Sequence, residues 1–202
     1  MNKPSRRWQA YLGYLVDVYR LATAKLDNPH SYMKFLRLNA LRKQCRSPIL
    51  IESGTYLGVT AWRCSRVFDA VFTIEIDQAL ADAARAFLAS RSNVEVICGD
   101  AVTELPRLFA CHEVGSAIVF LDGHFSGVGT GCGEMPEPAI EELRALRVHS
   151  SAIGAIVVDD FRSFGQEPNF PKKSELIRFA EEGFPDFVIS IQNDQLSLVR
   201  RR

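Results

Sequence analysis

From Pro48 to Phe184 short apolar runs alternate with segments of helical rhythm, and this alternation narrows the possible architectures more than any other feature. The runs "PILIES", "AVFTIEID", "NVEVICGD", "SAIVFLDG" and "AIGAIVVDD" are too short for stable helices and apolar at successive positions, as strands buried on both faces are. Between and after them, "GVTAWRCSRVF", "QALADAARAFLASR", "AVTELPRLFA", "PAIEELRALRVH" and "KSELIRFAEEGF" read as helices, the third of them broken at Pro106. Strands joined through helices pair in parallel, so the expected fold is α/β, with a mostly parallel sheet covered on both faces. The ending departs from that rhythm. "FVISIQ" and "LSLVRR" are separated only by "NDQ", too short for a parallel crossover, so the seventh and last strand is expected to run antiparallel.

Ahead of this region Trp8, Leu12, Leu15, Val18, Tyr19 and Ala22 recur at helical spacing, and a second helix is expected from Ser31 to about Gln44, after the Asn28-Pro29 break. The division expected is a helical extension over 1–46, serving as a lid or a homodimer surface, and one α/β domain over 47–202. Residues 1–46 carry ten Lys and Arg against two Asp and Glu in a chain of net charge zero. Such an imbalance marks either an anionic partner, such as nucleic acid, a membrane or a phosphorylated substrate, or a solvated basic face, which is the favoured reading; no basic motif of a nucleic-acid module accompanies it. The apolar stretch near the N-terminus is interrupted by Asp17 and Arg20 and reads neither as a signal peptide nor as a membrane span. Five cysteines without a C-x-x-C pair fit a soluble protein of the reducing cytoplasm better than a disulfide scaffold or a thiolate zinc site.

In an open α/β sheet, ligands bind outside the carboxyl ends of the strands, so the residues that follow each strand are the candidates for function. They are unusually polar. Glu52-Ser53-Gly54-Thr55-Tyr56-Leu57-Gly58 follow the first strand, Glu75 and Asp77 the second, Gly99-Asp100 the third, Asp122 and His124 the fourth, and Asp159-Asp160 the fifth. Gly54 permits a sharp turn and the close approach of a ligand, and Gly58 opens the next helix against the sheet. The stretch "FLDGHFSGVGTGCG" adds a glycine-rich loop from Gly123 to Pro138 that can close over a substrate.

The spacing E-x-G-x-x-x-G at Glu52, Gly54 and Gly58, with an acid ending the next strand, resembles motif I of class I S-adenosylmethionine-dependent methyltransferases. The terminal hairpin is similar to the end of that family's Rossmann-like seven-stranded sheet. The resemblance implies S-adenosylmethionine as cofactor. It places Glu52 at the methionine end, Gly54, Thr55 and Gly58 along the cofactor, Glu75 and Asp77 near the ribose, and Asp100 and Ala101 beside the adenine, with Asp122 bordering the same cleft. A G-x-G-x-x-G fingerprint is missing, which disfavours a nicotinamide-dependent oxidoreductase; a non-catalytic binding module on the same fold is the other alternative.

"IVFLDGH" with "IVVDD" further resembles the metal-dependent O-methyltransferases of the catechol type and the bacterial sugar O-methyltransferases. By that resemblance Asp122, Asp159 and Asp160 hold Mg²⁺, which lowers the pKa of an acceptor hydroxyl on a small molecule or sugar. A turn or helix-capping role for Asp159-Asp160 is the alternative. His124, with Asp122, is the catalytic candidate: as a general base it takes the hydroxyl proton with or without a metal, or else it only bonds within its loop. Phe161, Arg162 and Phe164 are expected to wall the substrate pocket, Arg162 facing an anionic group. Glu134 and Glu137 are loop acids, Cys132 has no activating neighbour in sequence, and His30, His112 and His149 read as surface or packing residues.

Overall fold

The computed structural model of the chain describes residues 6–23, 29–111, 115–123, 137–168 and 170–201. Helices α1 (Arg6–Ala22) and α2 (Ser31–Cys45) precede β1 (Ile49–Ser53), α3 (Val59–Cys64), β2 (Ala70–Glu75), α4 (Gln78–Leu88), β3 (Val94–Cys98) and α5 (Ala101–Cys111). There follow β4 (Ala117–Leu121), α6 (Ala139–Leu146), β5 (Ile153–Val158), α7 (Lys173–Gly183), β6 (Phe187–Gln192) and β7 (Gln195–Arg200). All seven strands join one sheet in the order β3-β2-β1-β4-β5-β7-β6, in which only β7 is antiparallel to its neighbours.

The central strands are apolar throughout because both of their faces are covered. On one face Leu38 and Leu41 of α2, Ala61 and Cys64 of α3, and Ala84 and Leu88 of α4 pack on Leu50, Ile118, Phe120, Ala155 and Val157. On the other, Leu105 and Leu108 of α5, Leu143 and Leu146 of α6, and Leu176 and Ala180 of α7 meet Ile51, Val119, Leu121, Ile156 and Val158. Each such aliphatic side chain contributes roughly 1.5–3 kcal/mol by leaving water, enough in sum to set the register of every strand. The hairpin closes at Asn193-Asp194, both with positive φ (51° and 64°), so that Gln192 pairs directly with Gln195. Two consecutive left-handed residues make the tight turn whose twist matches a hairpin.

Three helices differ from their sequence expectation. Pro106 does not break α5, which runs eleven residues through it; one missing backbone donor is outweighed by the burial of Leu105 and Leu108 on either side of it. The third helix ends at Cys64 rather than Phe68, and the chain then turns to bring Phe68 into the core. On α1 the side chains that reveal the helix in sequence mostly face outward: Trp8, Leu12, Leu15 and Tyr19 are exposed, while Ala10 and Asp17 are buried.

Asp17 explains that orientation. Its Oδ1 accepts from the backbone N–H of His30 (3.0 Å) and its Oδ2 from those of Tyr32 and Met33 (2.9 Å each), which caps α2 from a neighbouring helix. Arg63 of α3 completes the junction by donating to Ser31 Oγ (3.1 Å) and to the carbonyl of Ala10 (2.8 Å). No described helix is long and apolar enough to cross a membrane.

Two predictions follow from this packing. A Cβ on Gly54, where φ is +84°, would lie 2.2 Å from the carbonyl oxygen of Asp122, whereas a Cβ on Gly115 would touch nothing within 4 Å. In urea denaturation Gly54→Ala is expected to lose roughly 2–4 kcal/mol from strain and overlap, and Gly115→Ala to stay within about 0.5 kcal/mol of the parent. Asp17→Ala, which orphans three backbone donors, is expected to cost about 1–3 kcal/mol in the same measurement.

Candidate functional site

Strand order places the topological switch point between β1 and β4, the neighbours from which the chain progresses in opposite directions along the sheet. A crevice at such a point lies outside the carboxyl ends of the strands. Here those ends carry Ser53-Gly54 and Asp122-Gly123, and the sharp turn expected at Gly54 is present. What approaches Gly54 is the backbone of Asp122, so this glycine brings the two strand ends together. Gly58, also at positive φ, caps α3 and faces Leu88 of α4, as a helix packed closely on its neighbour requires.

The loop after β1 is tied to β2. The N–H groups of Gly54 and Thr55 both donate to the carbonyl of Ile74, and the N–H of Tyr56 donates to Glu75 Oε2 at 2.7 Å. Glu75 Oε1 accepts from the N–H of Asp77 at 3.1 Å, so this buried carboxylate holds the loop while standing at the strand end. Beneath it, Thr55 and Thr73 share a hydroxyl hydrogen bond of 2.7 Å and Thr73 donates to Glu52 Oε2 at 2.6 Å. Burial pushes the Glu52 carboxyl up to about 8, with the Thr73 hydrogen bond a smaller opposing effect. Asp77 and Asp100 accept helix-capping bonds from the N–H groups of Leu80 and Val102 (2.8 and 2.9 Å), and Ala101 is the first residue of α5.

Ser53, one of the strand-end candidates, and Glu142, which sequence reasoning passed over, stand on the opposite face of the same crevice. Ser53 Oγ and Glu142 Oε1 are buried beside each other, and the Ser53 hydroxyl is the polar group that faces the carboxyl. They flank Gly123, whose absent Cβ would sit 3.2 Å from the hydroxyl and 3.4 Å from the carboxyl oxygen. Burial pushes the Glu142 carboxyl up to about 8, against a smaller opposing effect of the Ser53 hydrogen bond, and the negative charges of Glu137, Asp100 and Asp122 add to the rise. An acid on the buried stripe of a helix, three residues after Ala139 and four before Leu146, is the signal by which it was detectable.

The three candidate metal ligands do converge. One carboxylate oxygen from each of Asp122, Asp159 and Asp160 lies within 4.8 Å of the others. The cation among them is an ammonium group. Lys34 of α2 places its Nζ 2.6 Å from Asp122 Oδ2 and 2.5 Å from Asp159 Oδ2. Burial by itself would lower the pKa of Lys34, but the charges and hydrogen bonds of Asp122 and Asp159 outweigh it and hold the amine above the usual lysine range. Asp159 Oδ1 accepts from Gln195 Nε2 at 2.8 Å, and Asp160, at a positive φ of 49°, pairs with Arg162 at 2.7 Å. Arg162 also pairs with Asp194 of the hairpin turn.

Three carboxylates are the oxygen donors that Mg²⁺ takes. In this arrangement, however, the position between Asp122 and Asp159 belongs to Lys34 and that beside Asp160 to Arg162, so the residues as they stand do not fit the ion. Lys34 escaped notice among the ten basic residues of 1–46. Its spacing from Leu38 and Leu41, at i, i+4 and i+7, marks it as a charge on a buried helix stripe.

Other expectations are corrected by the same geometry. Arg162 is committed to Asp160 and Asp194 rather than to an anionic ligand, because those carboxylates are its immediate neighbours. Phe161 and Phe164 are buried and stack within the core near Phe170. Glu137 accepts from the N–H of Ala139 and caps α6. His124, Cys132, Glu134 and most of the glycine loop, together with His112, lie outside the described residues.

No family model and no curated protein sequence matches the chain. Solved structures do. The chain is similar to the O-methyltransferase of Bacillus cereus in complex with SAH, at 18% identity and a TM-score of 0.62 over 99% of this chain and 93% of that one. It is similar to the O-methyltransferase TomG of Streptomyces achromogenes in complex with SAM, at 20% identity and a TM-score of 0.61 over 99% and 92%. The SAH-bound methyltransferase PaMTH1 of Podospora anserina aligns at 13% identity and a TM-score of 0.61 over 100% and 90%. The alignments span almost the whole of each chain, and the fold they share is the Rossmann-like fold of class I methyltransferases.

Proposed function

We propose that the chain is an S-adenosylmethionine-dependent O-methyltransferase that methylates a hydroxyl of a small molecule or sugar. One observation carries this reading: at the switch point of a methyltransferase fold, the ends of β1, β2, β4 and β5 gather Glu52, Glu75, Asp122 and Asp159 on one side of the sheet. Burial keeps Glu52 largely protonated and Lys34 offsets one charge of the Asp122–Asp159 pair, so the edge stays net negative, which suits a cationic ligand better than a pyrophosphate. The solved methyltransferases bound to SAH or SAM support the same assignment.

S-adenosylmethionine supplies an electrophilic methyl on a sulfonium, which becomes a neutral thioether on transfer. The chain's own part is to bind and orient. Glu75 accepts the ribose hydroxyls while keeping the loop after β1 in place, and Asp100 and Ala101 border the adenine. Glu52 acts from below, through Thr73 and Thr55. Ser53 and Glu142, buried beside each other at Gly123, meet polar atoms of the bound ligand. At the acceptor side the hydroxyl oxygen bonds to the methyl carbon as the carbon–sulfur bond breaks, and its proton passes to Asp122 or to His124. The carboxylates of Asp122, Asp159 and Asp160 are the oxygen donors that Mg²⁺ would take, and Lys34 and Arg162 hold those positions. The exposed apolar stripe of α1 suits the lid or homodimer surface assigned to 1–46, and the free thiols of Cys45, Cys64, Cys98 and Cys111 support a cytoplasmic setting.

Calorimetric titration with S-adenosylmethionine tests the assignment. Glu75→Ala is expected to weaken binding at least about tenfold, or roughly 1.4 kcal/mol; an unaltered chain that binds none at millimolar concentration overturns the reading. A second expectation concerns pH. In the folded protein Glu142 keeps its proton up to about 8, whereas an ordinary carboxyl loses it near 4.5, so its contribution to stability is present below about 4.5 and is lost as pH rises through about 8. Calorimetric melting of Glu142→Gln against the parent should therefore show a difference that moves in favour of the variant from about pH 5 to about pH 8 and is constant above. A difference that does not change with pH contradicts the assigned ionisation.

A further inference from the structure

We propose that Lys34 is the resident cation of the acceptor site, standing where a divalent metal would otherwise sit, and that methyl transfer in this chain is metal-free and directed to a single hydroxyl. The inference rests on the methyltransferase reading for its reaction but not for its geometry. Lys34 Nζ lies 2.6 and 2.5 Å from oxygens of Asp122 and Asp159, which follow two adjacent strands. Mg²⁺ binds such oxygens at about 2.1 Å, so an ion bridging the same pair would overlap the ammonium.

Lys34 is not a surface lysine that folds inward by chance. Its helix is anchored by Leu38 and Leu41, both fully buried, and by Asp17 and Arg63 at its first turn. The Asp159 side chain has no exposed surface and its other oxygen is held by Gln195, so withdrawal of the ammonium would leave a buried carboxylate charge uncompensated. Arg162 performs the same service for Asp160. A buried ammonium and an exposed guanidinium of the chain itself therefore meet the three carboxylates that a metal would need.

The exchange has a chemical consequence. A divalent ion with open positions chelates two oxygens of an acceptor, as a vicinal diol offers. An ammonium group has three N–H donors. One is given to Asp122 and the ammonium is ion-paired at 2.5 Å to Asp159, which leaves donor capacity for one acceptor oxygen. Lys34 and Asp122 both retain some exposure, so the pair can meet a ligand together. In the transfer, the acceptor oxygen forms its bond to the methyl carbon, the carbon–sulfur electron pair goes to sulfur, and the hydroxyl proton goes to Asp122. Lys34 keeps all of its protons and positions the oxygen.

Titration of the purified full chain with Mn²⁺, followed by electron paramagnetic resonance, tests the inference without reference to activity. The parent and Lys34→Arg are expected to show no saturable binding. Lys34→Met is expected to gain one site, and Asp159→Asn in the Lys34→Met background should abolish it. Circular dichroism checks folding, and Lys34→Gln serves if the methionine variant does not fold. Saturable Mn²⁺ binding by the parent that Asp159→Asn removes overturns the proposal; so does a folded Lys34→Met or Lys34→Gln chain that takes no Mn²⁺. S-adenosylmethionine titration of the same samples judges the methyltransferase reading separately. If the cofactor binds, transfer to monohydroxyl acceptors is expected to survive EDTA unchanged, and a tenfold or greater loss that Mg²⁺ restores counts against metal-free transfer.

Discussion

The ammonium of Lys34 between the carboxylates of Asp122 and Asp159 is the contact on which the carboxyl edge of this sheet depends. Carboxylates following adjacent strands repel one another and lose hydration as the helices close over them. A cation brought in from α2 offsets both costs. Such a buried pair adds little net stability, since its desolvation cancels much of its attraction, yet removing one partner typically costs about 3–5 kcal/mol. Its effect is on the docking of α2, whose buried Leu38 and Leu41 sit in the core while Lys34 reaches both acids.

The docking of α2 in turn explains α1. Asp17 is buried in order to satisfy the first backbone donors of α2, and this turns the apolar stripe of α1 toward solvent. Arg63 bonds to both helices and lies over the rings of Tyr14 and Tyr32, so α1, α2 and α3 form one connected layer. The groove of about 800 Å³ beside β6 and β7, lined by Arg37, Val188 and Arg200 among others, is on the face that α2 partly covers. It does not include the acidic strand ends.

Most of the scaffold was legible in the chain because it is written in short-range patterns. Apolar runs that permit no exposed face have to be inner strands, and the separation of "FVISIQ" from "LSLVRR" admits only a hairpin. The acids after each strand were legible for the same reason: position in a βα unit determines which end of the sheet a residue reaches. Pro106 misled because a local rule about one lost hydrogen bond was applied without the burial of Leu105 and Leu108 beside it. Phe161 and Arg162 misled because adjacency to a site in sequence does not say whether a side chain faces the cleft, the core or a neighbouring turn.

By itself, then, the sequence determined the α/β alternation, the antiparallel close of the sheet and the set of acids along its carboxyl edge, since each depends on residues a few positions apart. Only the tertiary structure decided what those acids hold. Lys34 is 88 residues from Asp122, Ser53 and Glu142 come from opposite halves of the chain, and Arg162 meets Asp194 across the hairpin turn. Local periodicity carries no record of such partners, because charges choose one another by distance in space, and that distance exists only once the hydrophobic layers have closed.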